Sequence, residues 1–279
     1  MEKILLQNCA FVLTALLKYC NKVYILKAYT LFSGSKGNCI YIKTDKTQIL
    51  VDCGVCERNI RNAVEKVGGK MDETDAIFIT HEHSDHVAGI RVIEKRYNTP
   101  VHITKNSAYC LVKNMDNPYN LFLHDEEYIV LVNELEVSSF SLSHDSESAV
   151  GYTIYDTVTG QKIGIATDTG CVTKEMKAFM AGCESVVLES NHDTDMLKCG
   201  SYPEDLKRRI HSKYGHLSNK DAAEFATYLA ENGTKRIVLF HLSDENNTPK
   251  IAVQTVKNAI DNNEIAVVAA EKCDAVEII

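Results

Sequence analysis

Proline is scarce in this chain. Only 4 prolines stand among 279 residues, and no Pro-, Gly- or Ser-rich stretch divides one part from another. Flexible linkers and disordered tails need that kind of composition, so none is expected. The length permits one large α/β domain or two small ones, and the missing linker favours one. No internal repeat is evident. Long apolar runs are lacking as well. Residues 1–17 carry Ile4-Leu5-Leu6 and Phe11-Val12-Leu13 behind Lys3, but Gln7 and Asn8 interrupt them. That run is too broken for a membrane span, and it has no clear cleavage site for a signal peptide. Residues 1–27 are expected to be an N-terminal extension, a helix lying on a single domain of residues 28–279, in a cytoplasmic protein with no membrane partner.

Close cysteine pairs are almost absent. Ten cysteines are scattered, and only Cys53 and Cys56 stand in a CxxC spacing. Without a second close pair there is no four-sulfur zinc site. A redox role for the lone CxxC competes with the plainer reading of buried, reduced thiols that pack as small hydrophobes. Positive charge is also in deficit, with a net charge of −8. This disfavours a broad electrostatic footprint for nucleic acid but leaves room for a local basic strip.

What is present is an alternation of short apolar runs and helical patterns. Strands are expected at 40–43, 48–51, 76–80, 101–104, 128–132, 136–142, 151–155, 162–167, 185–188, 236–240 and 265–269. Helices are expected at 57–67, 85–97, 106–113, 173–180, 203–211 and 220–232, and from Thr248-Pro249 to about 262. Gly68-Gly69 and Gly233 serve as stops, and Pro203 sits well at a first turn. Strands in two batches with helices through both halves imply two stacked sheets covered outside by helices.

The chemistry concentrates in His81-Glu82-His83-Ser84-Asp85-His86, directly after an apolar strand. His81 and His83, two apart on extended chain, project to one side. Asp85 and His86 fall where the chain turns into a helix and face a second point. Imidazole with carboxylate suits zinc, manganese or iron and not calcium. Each ion wants about four to six ligands, so more must come from elsewhere. His144, Asp168 and His241 each follow an apolar strand, where ligands of open sheets gather. Taken singly, His144 and His241 read as ordinary polar histidines, and Asp168 before Thr169-Gly170 as a turn residue. Three histidines and an aspartate in six residues have no comparable bland reading.

The run matches the HxHxDH signature of the metallo-β-lactamase superfamily, and the chain from about residue 28 resembles that family. It is similar in particular to the YycJ/WalJ-like group. The marks are Ser33-Gly34-Ser35-Lys36-Gly37-Asn38, Val51-Asp52-Cys53-Gly54, Ser143-His144-Asp145, Thr167-Asp168-Thr169-Gly170, Glu189-Ser190-Asn191-His192-Asp193, Gly215-His216-Leu217-Ser218-Asn219 and Phe240-His241-Leu242-Ser243. The resemblance implies a four-layer αββα sandwich. It implies two divalent metal ions, zinc or manganese, with His81, His83 and His144 on the first, Asp85, His86 and His241 on the second, and Asp168 bridging. It further implies an exonuclease acting from the 5′ end of DNA. Lys36, where a small residue is usual, and the Cys53–Cys56 segment depart from the pattern.

Two ions roughly 3.5–4 Å apart can share a water and lower its pKa from 15.7 towards about 7. A bridging hydroxide is then the expected nucleophile, with Asp85 as candidate proton acceptor. Asp52 and Glu189 end apolar strands and are candidates for orienting ligand histidines, although a turn role explains Asp52 equally well. His192 either approaches the leaving group or caps local structure. His216 precedes the helix from 220, beside Lys207, Arg208, Arg209 and Lys213, and is the candidate for phosphodiester contact at a helix N-terminus. A solvated helix face is the ordinary reading of such a basic stretch. Asn38 and Ser218 are candidates for lining the cleft. Hydrolysis of a small ester or thioester on the same scaffold is the competing reading, supported by the acidic charge. A metal-stabilised binding protein is the third.

Overall fold

A computed structural model of the chain describes residues 25–112, 120–260, 262 and 264–279. Its strands form two seven-stranded sheets. The first runs in the order β14 (Val276–Glu277), β1 (Lys27–Phe32), β2 (Cys39–Lys43), β3 (Gln48–Val51), β4 (Ala76–Phe78), β5 (Val101–Thr104) and β6 (Leu121–His124). The second runs β13 (Ala266–Ala269), β12 (Arg236–Phe240), β11 (Ser185–Glu189), β10 (Lys162–Ala166), β9 (Val150–Asp156), β8 (Leu135–Ser141) and β7 (Ile129–Val132). Each sheet mixes antiparallel hairpins with parallel strands: β3, β4, β5 and β6 are parallel in one, and β10 to β13 in the other.

The pleat assigns each strand two faces, and three apolar layers follow from it. Ile40 and Ile42 of β2, Val51 of β3, Ile163 and Ile165 of β10 and Val238 and Phe240 of β12 pack together between the sheets. Their neighbours in sequence point outward. Tyr41 and Leu50 meet Ile60 and Val64 of the helix Glu57–Lys66 and Ile90 and Ile93 of the helix Ile90–Tyr97. On the far side, Ile237 and Leu239 meet Phe225 and Leu229 of the helix Asn219–Glu231 and Val256 of the helix Pro249–Ala259. Three dry interfaces separate four layers, so the expected αββα sandwich is the observed architecture.

The differences from the sequence expectation have local causes. The helix expected over 85–97 is two, Ser84–Val87 and Ile90–Tyr97. The chain bends between them because the Gly89 N–H donates to the Cys53 carbonyl at 2.8 Å, and a Cβ at Gly89 would lie 2.3 Å from the Val55 carbonyl oxygen. Strands β1, β6 and β14 and the helix Thr194–Cys199 were not expected. Strand β14 has two residues, too few for any periodicity, and β6 is an edge strand with Phe122 and Leu123 exposed. The last long helix ends at Ala259, short of 262. The first 24 residues of the expected extension, and residue 113 of the expected helix 106–113, lie outside the described residues. The eight described cysteines are free, with Cys53 buried and Cys56 exposed.

Candidate metal centre

Strands β3, β4, β8, β10, β11 and β12 all deliver their last residues to one end of the sandwich. There, Asp52 follows β3, the run from His81 follows β4, His144 follows β8, Asp168 follows β10, Glu189 ends β11 and His241 follows β12. Three of these residues hold left-handed backbone: Asp52 (φ 61°), Asp168 (φ 55°) and His241 (φ 56°). Such a conformation costs about 1–3 kcal/mol at a non-glycine residue and persists only where the surroundings impose it. Here it turns each side chain back over the strand ends.

Four overlapping donor groups result. His81, His83 and His144 form one, and Asp85, His86 and His241 another; His81, His86 and Asp168 form a third, and Asp168, Glu189, His216 and His241 a fourth. Within each, the donor atoms lie within 4.8 Å of one another. All seven residues expected as ligands are therefore brought together. The Asp168 carboxylate touches both sides, with Oδ2 3.2 Å from His86 Nε2 and Oδ1 3.5 Å from His241 Nδ1 and 4.0 Å from His144 Nε2.

Hydrogen bonds behind the donors set their ring orientations. Asp52 Oδ2 lies 2.7 Å from His86 Nδ1 and accepts from Thr80 Oγ1 at 2.8 Å, and Thr80 Oγ1 is 3.0 Å from His81 Nδ1. His144 Nδ1 meets the Gly215 carbonyl at 3.0 Å. Glu189 Oε1 lies 2.7 Å from His216 Nδ1 and 3.2 Å from His241 Nδ1, while its Oε2 accepts from the Thr169 and Leu217 N–H groups. Asn38 Nδ2 lies 3.0 Å from His86 Nε2 and 3.3 Å from Asp85 Oδ2. The Ser33 hydroxyl accepts from His241 N–H at 2.9 Å. Thr80 carried no sequence signal of its own, because a hydroxyl at a strand end is ordinary, and Ser33 and Gly215 stood out only as parts of the family motifs.

Charge in this space is tightly balanced. Burial pushes the His81 imidazole well below its ordinary value, and nearby His86 adds to this. Burial also opposes charge on His241, but Asp168, Asp85 and Glu189 outweigh it and hold the ring at about 10. Burial alone would raise Asp168, yet His241 and His86 keep it well below the carboxylate range. Asp168 and Glu189 are 2% and 0% exposed. Buried carboxylates in that number demand cationic compensation. Histidine protons meet the demand here, and divalent cations meet it while leaving the imidazoles neutral, as ligation requires. The donor chemistry, imidazole mixed with carboxylate, therefore fits divalent transition-metal ions.

The other candidates fall elsewhere. Ser218 caps the helix Asn219–Glu231, accepting from Asp221 N–H at 3.1 Å, and is no part of the donor groups. His192 is 1% exposed, and neither ring nitrogen has a hydrogen-bond partner among the described residues. Its ring centroid lies 6.1 Å from that of His211. The basic stretch is largely paired: Lys207 with Glu204, Arg208 with Asp205 and Arg209 with Asp145. A cavity of about 180 Å³ opens beside the donors, with His216 and His241 in its wall.

Comparison with known proteins agrees with this geometry. Residues 47–242 match the β-lactamase superfamily domain. The chain is 35% identical to exodeoxyribonuclease YycJ of Bacillus anthracis over 83% of its own length and 88% of that protein. It is 35% identical to exodeoxyribonuclease WalJ of Streptococcus pneumoniae over 85% of its length and 89% of that protein. The fold is shared with the metallo-β-lactamase fold protein YhfI of Bacillus subtilis, at a TM-score of 0.69 and 14% identity, over 90% of this chain and 98% of that one. By motif, layer order and relatives alike, the chain belongs to the metallo-β-lactamase superfamily of hydrolases, alongside YycJ and WalJ.

Proposed function

We propose that the protein is a metal-dependent phosphodiesterase that degrades DNA from the 5′ end, in the cytoplasm, with residues 28–279 acting as one unit. The observation that carries this reading is the convergence of His81, His83, Asp85, His86, His144, Asp168 and His241 at one end of the sandwich, in a chain 35% identical to proteins named exodeoxyribonucleases. His81, His83 and His144 would hold one ion and Asp85, His86 and His241 the other, with the Asp168 carboxylate shared between them. Two bound divalent ions supply a shared water of lowered pKa and positive charge against the oxygens of the reacting phosphate.

The chain's own residues do the rest. Asp85 is held below its ordinary pKa; burial opposes this, and the His241 hydrogen bond and His86 prevail. Its carboxylate is thus ionised and placed to accept a proton from the attacking water. His216 is tethered through Nδ1 to Glu189 and stands in the cavity wall, where it contacts the phosphodiester. Gly215 lets this loop pack closely, since a Cβ there would lie 2.2 Å from the Arg209 and Ile210 carbonyl oxygens.

The pairing of Lys207, Arg208 and Arg209 with carboxylates favours the second reading, hydrolysis of a small ester or thioester, because it weakens the local basic strip. Digestion of DNA and RNA labelled at either end, with zinc or with manganese, separates the two. Release of 5′ nucleotides by the wild-type chain, suppressed in Asp85→Asn, is the expected result. Thioester cleavage without nuclease activity defeats the proposal.

A further inference from the structure

We propose that the cavity beside the donor groups receives a nucleobase of the substrate, with Tyr202 as the ring on which it stacks. This rests on the nuclease reading above and assigns a part of the substrate to a specific surface. The lining of the cavity is apolar in part, with Tyr202, Leu206 and Ile210, and polar in part, with Asn191, Ser243 and the paired Arg209 and Asp145. A ring and aliphatic groups together with hydrogen-bonding groups complement a base, which has π faces and polar edges. At about 180 Å³, the space falls below the roughly 300 Å³ at which drug-sized pockets begin. It suits a single ring system.

The wall is built before any ligand arrives. Tyr202 precedes Pro203, which restricts its backbone to extended conformations, and Pro203 caps the helix Glu204–Ile210. Leu206 and Ile210 stand four apart on that helix and share a face. In the same lining, Asn191 Nδ2 donates to the His241 carbonyl at 2.9 Å, which leaves Oδ1 as an acceptor. Ser243 Oγ accepts from Asn246 N–H at 3.1 Å, which leaves its proton to donate. One acceptor and one donor suit the edge of any base, so the subsite favours a base without selecting which. His216 and His241 close the wall towards the donor groups, so a nucleotide seated here brings its phosphate to the reacting end.

The test is steady-state cleavage by the metal-loaded, full-length protein. Substrates are an oligonucleotide with an intact end and the same strand with one abasic residue at each of its first three positions. Tyr202→Ala is expected to raise KM roughly tenfold on the intact strand, in line with the loss of one base–aromatic stack, and to leave kcat in place. Tyr202→Phe is expected to match the wild type. One abasic position should raise the wild-type KM by a similar factor, and Tyr202→Ala should add nothing on that strand. A wild-type KM indifferent to all three abasic positions overturns the subsite, whatever the variants do, while the nuclease reading stands. So does a Tyr202→Ala effect of equal size on intact and abasic strands, which marks a structural role only. Failure of the wild type to cleave any oligonucleotide defeats the nuclease reading and this subsite with it.

Discussion

Asp52 Oδ2 lies 2.7 Å from His86 Nδ1 and so determines that Nε2 is the ring nitrogen facing Asp168. Neither residue is next to the other in sequence. The contact exists because β3 and β4 run parallel, with Val51 opposite Phe78, which sets the end of one beside the loop of the other. Asp52 also accepts from the Thr80 N–H at 2.8 Å, so one carboxylate holds both the loop and the His86 ring. Asp52→Ala is expected to weaken metal binding about 10–100-fold, the usual cost of losing a group that orients a ligand histidine. Competition with a chelator measures this, and an unchanged affinity would reduce Asp52 to a turn residue.

His216→Ala is expected to lower DNA cleavage by about 10²-fold or more, in the range of a lost acid–base or phosphate contact. Both metals should stay bound, since seven other donors remain. Elemental analysis beside the cleavage assay checks it. Loss of one metal equivalent would instead make His216 a ligand in the group with Asp168, Glu189 and His241.

Gly54→Ala tests how closely the ligand loop packs. A Cβ at Gly54 would lie 1.6 Å from the Asp85 carbonyl oxygen and 2.5 Å from the Asn38 nitrogen, both backbone atoms. The chain must move, and the movement displaces the segment that carries Asp85 and His86. The expected cost is about 1–3 kcal/mol, seen as a lower Tm together with weaker metal uptake. A variant with unchanged Tm and metal content shows that the loop yields without strain.

His102 links stability to pH away from the metal centre. It stacks on Phe78 at 4.8 Å and on Phe122 at 5.0 Å, and its Nδ1 lies 2.9 Å from His124 Nε2. Burial first, and the neighbouring His124 second, push its pKa down to about 4. An unfolded histidine titrates near 6.5. Between those values the unfolded chain binds the extra proton, so stability falls as pH falls from about 6.5 to about 4. Above that window the term is fully present and constant. His102→Phe keeps the stacking and removes the proton site. The Tm difference between variant and wild type is expected to widen in the variant's favour on acidification, and a constant difference would show that His102 is not the group responsible.

Much of the site was legible because its chemistry is local. His81, His83, Asp85 and His86 fall within six residues, and that density has no ordinary structural explanation. His144, Asp168 and His241 were legible only through their shared position after apolar strands and through the family resemblance. His192 and Ser218 show the limit of such reading. Both stand in polar segments next to site residues, yet Ser218 satisfies a helix N-terminus and His192 turns inward. In the basic run 207–213, Lys207 and Arg208 pair with Glu204 and Asp205 three residues earlier on the same helix, and only the pairing of Arg209 with Asp145 was brought by the fold. Sequence spacing reports the charge of a helix and not what faces it.

The amino-acid order by itself determined the two periodicities, and with them most of the strands and helices and their stacking in layers, because burial depends on which residues alternate along a short segment. It also disfavoured calcium as the ion, because imidazole with carboxylate suits transition metals and that chemistry belongs to the side chains. Only the tertiary structure decided that six strand ends meet at one face, that Asp168 reaches both halves of the donor set, and that Tyr202 and Asn191 line one cavity. The first two relations join residues as distant in sequence as Asp52 and His241. They depend on sheet order and on left-handed turns at Asp52, Asp168 and His241, which local preference disfavours and only the assembled fold can impose.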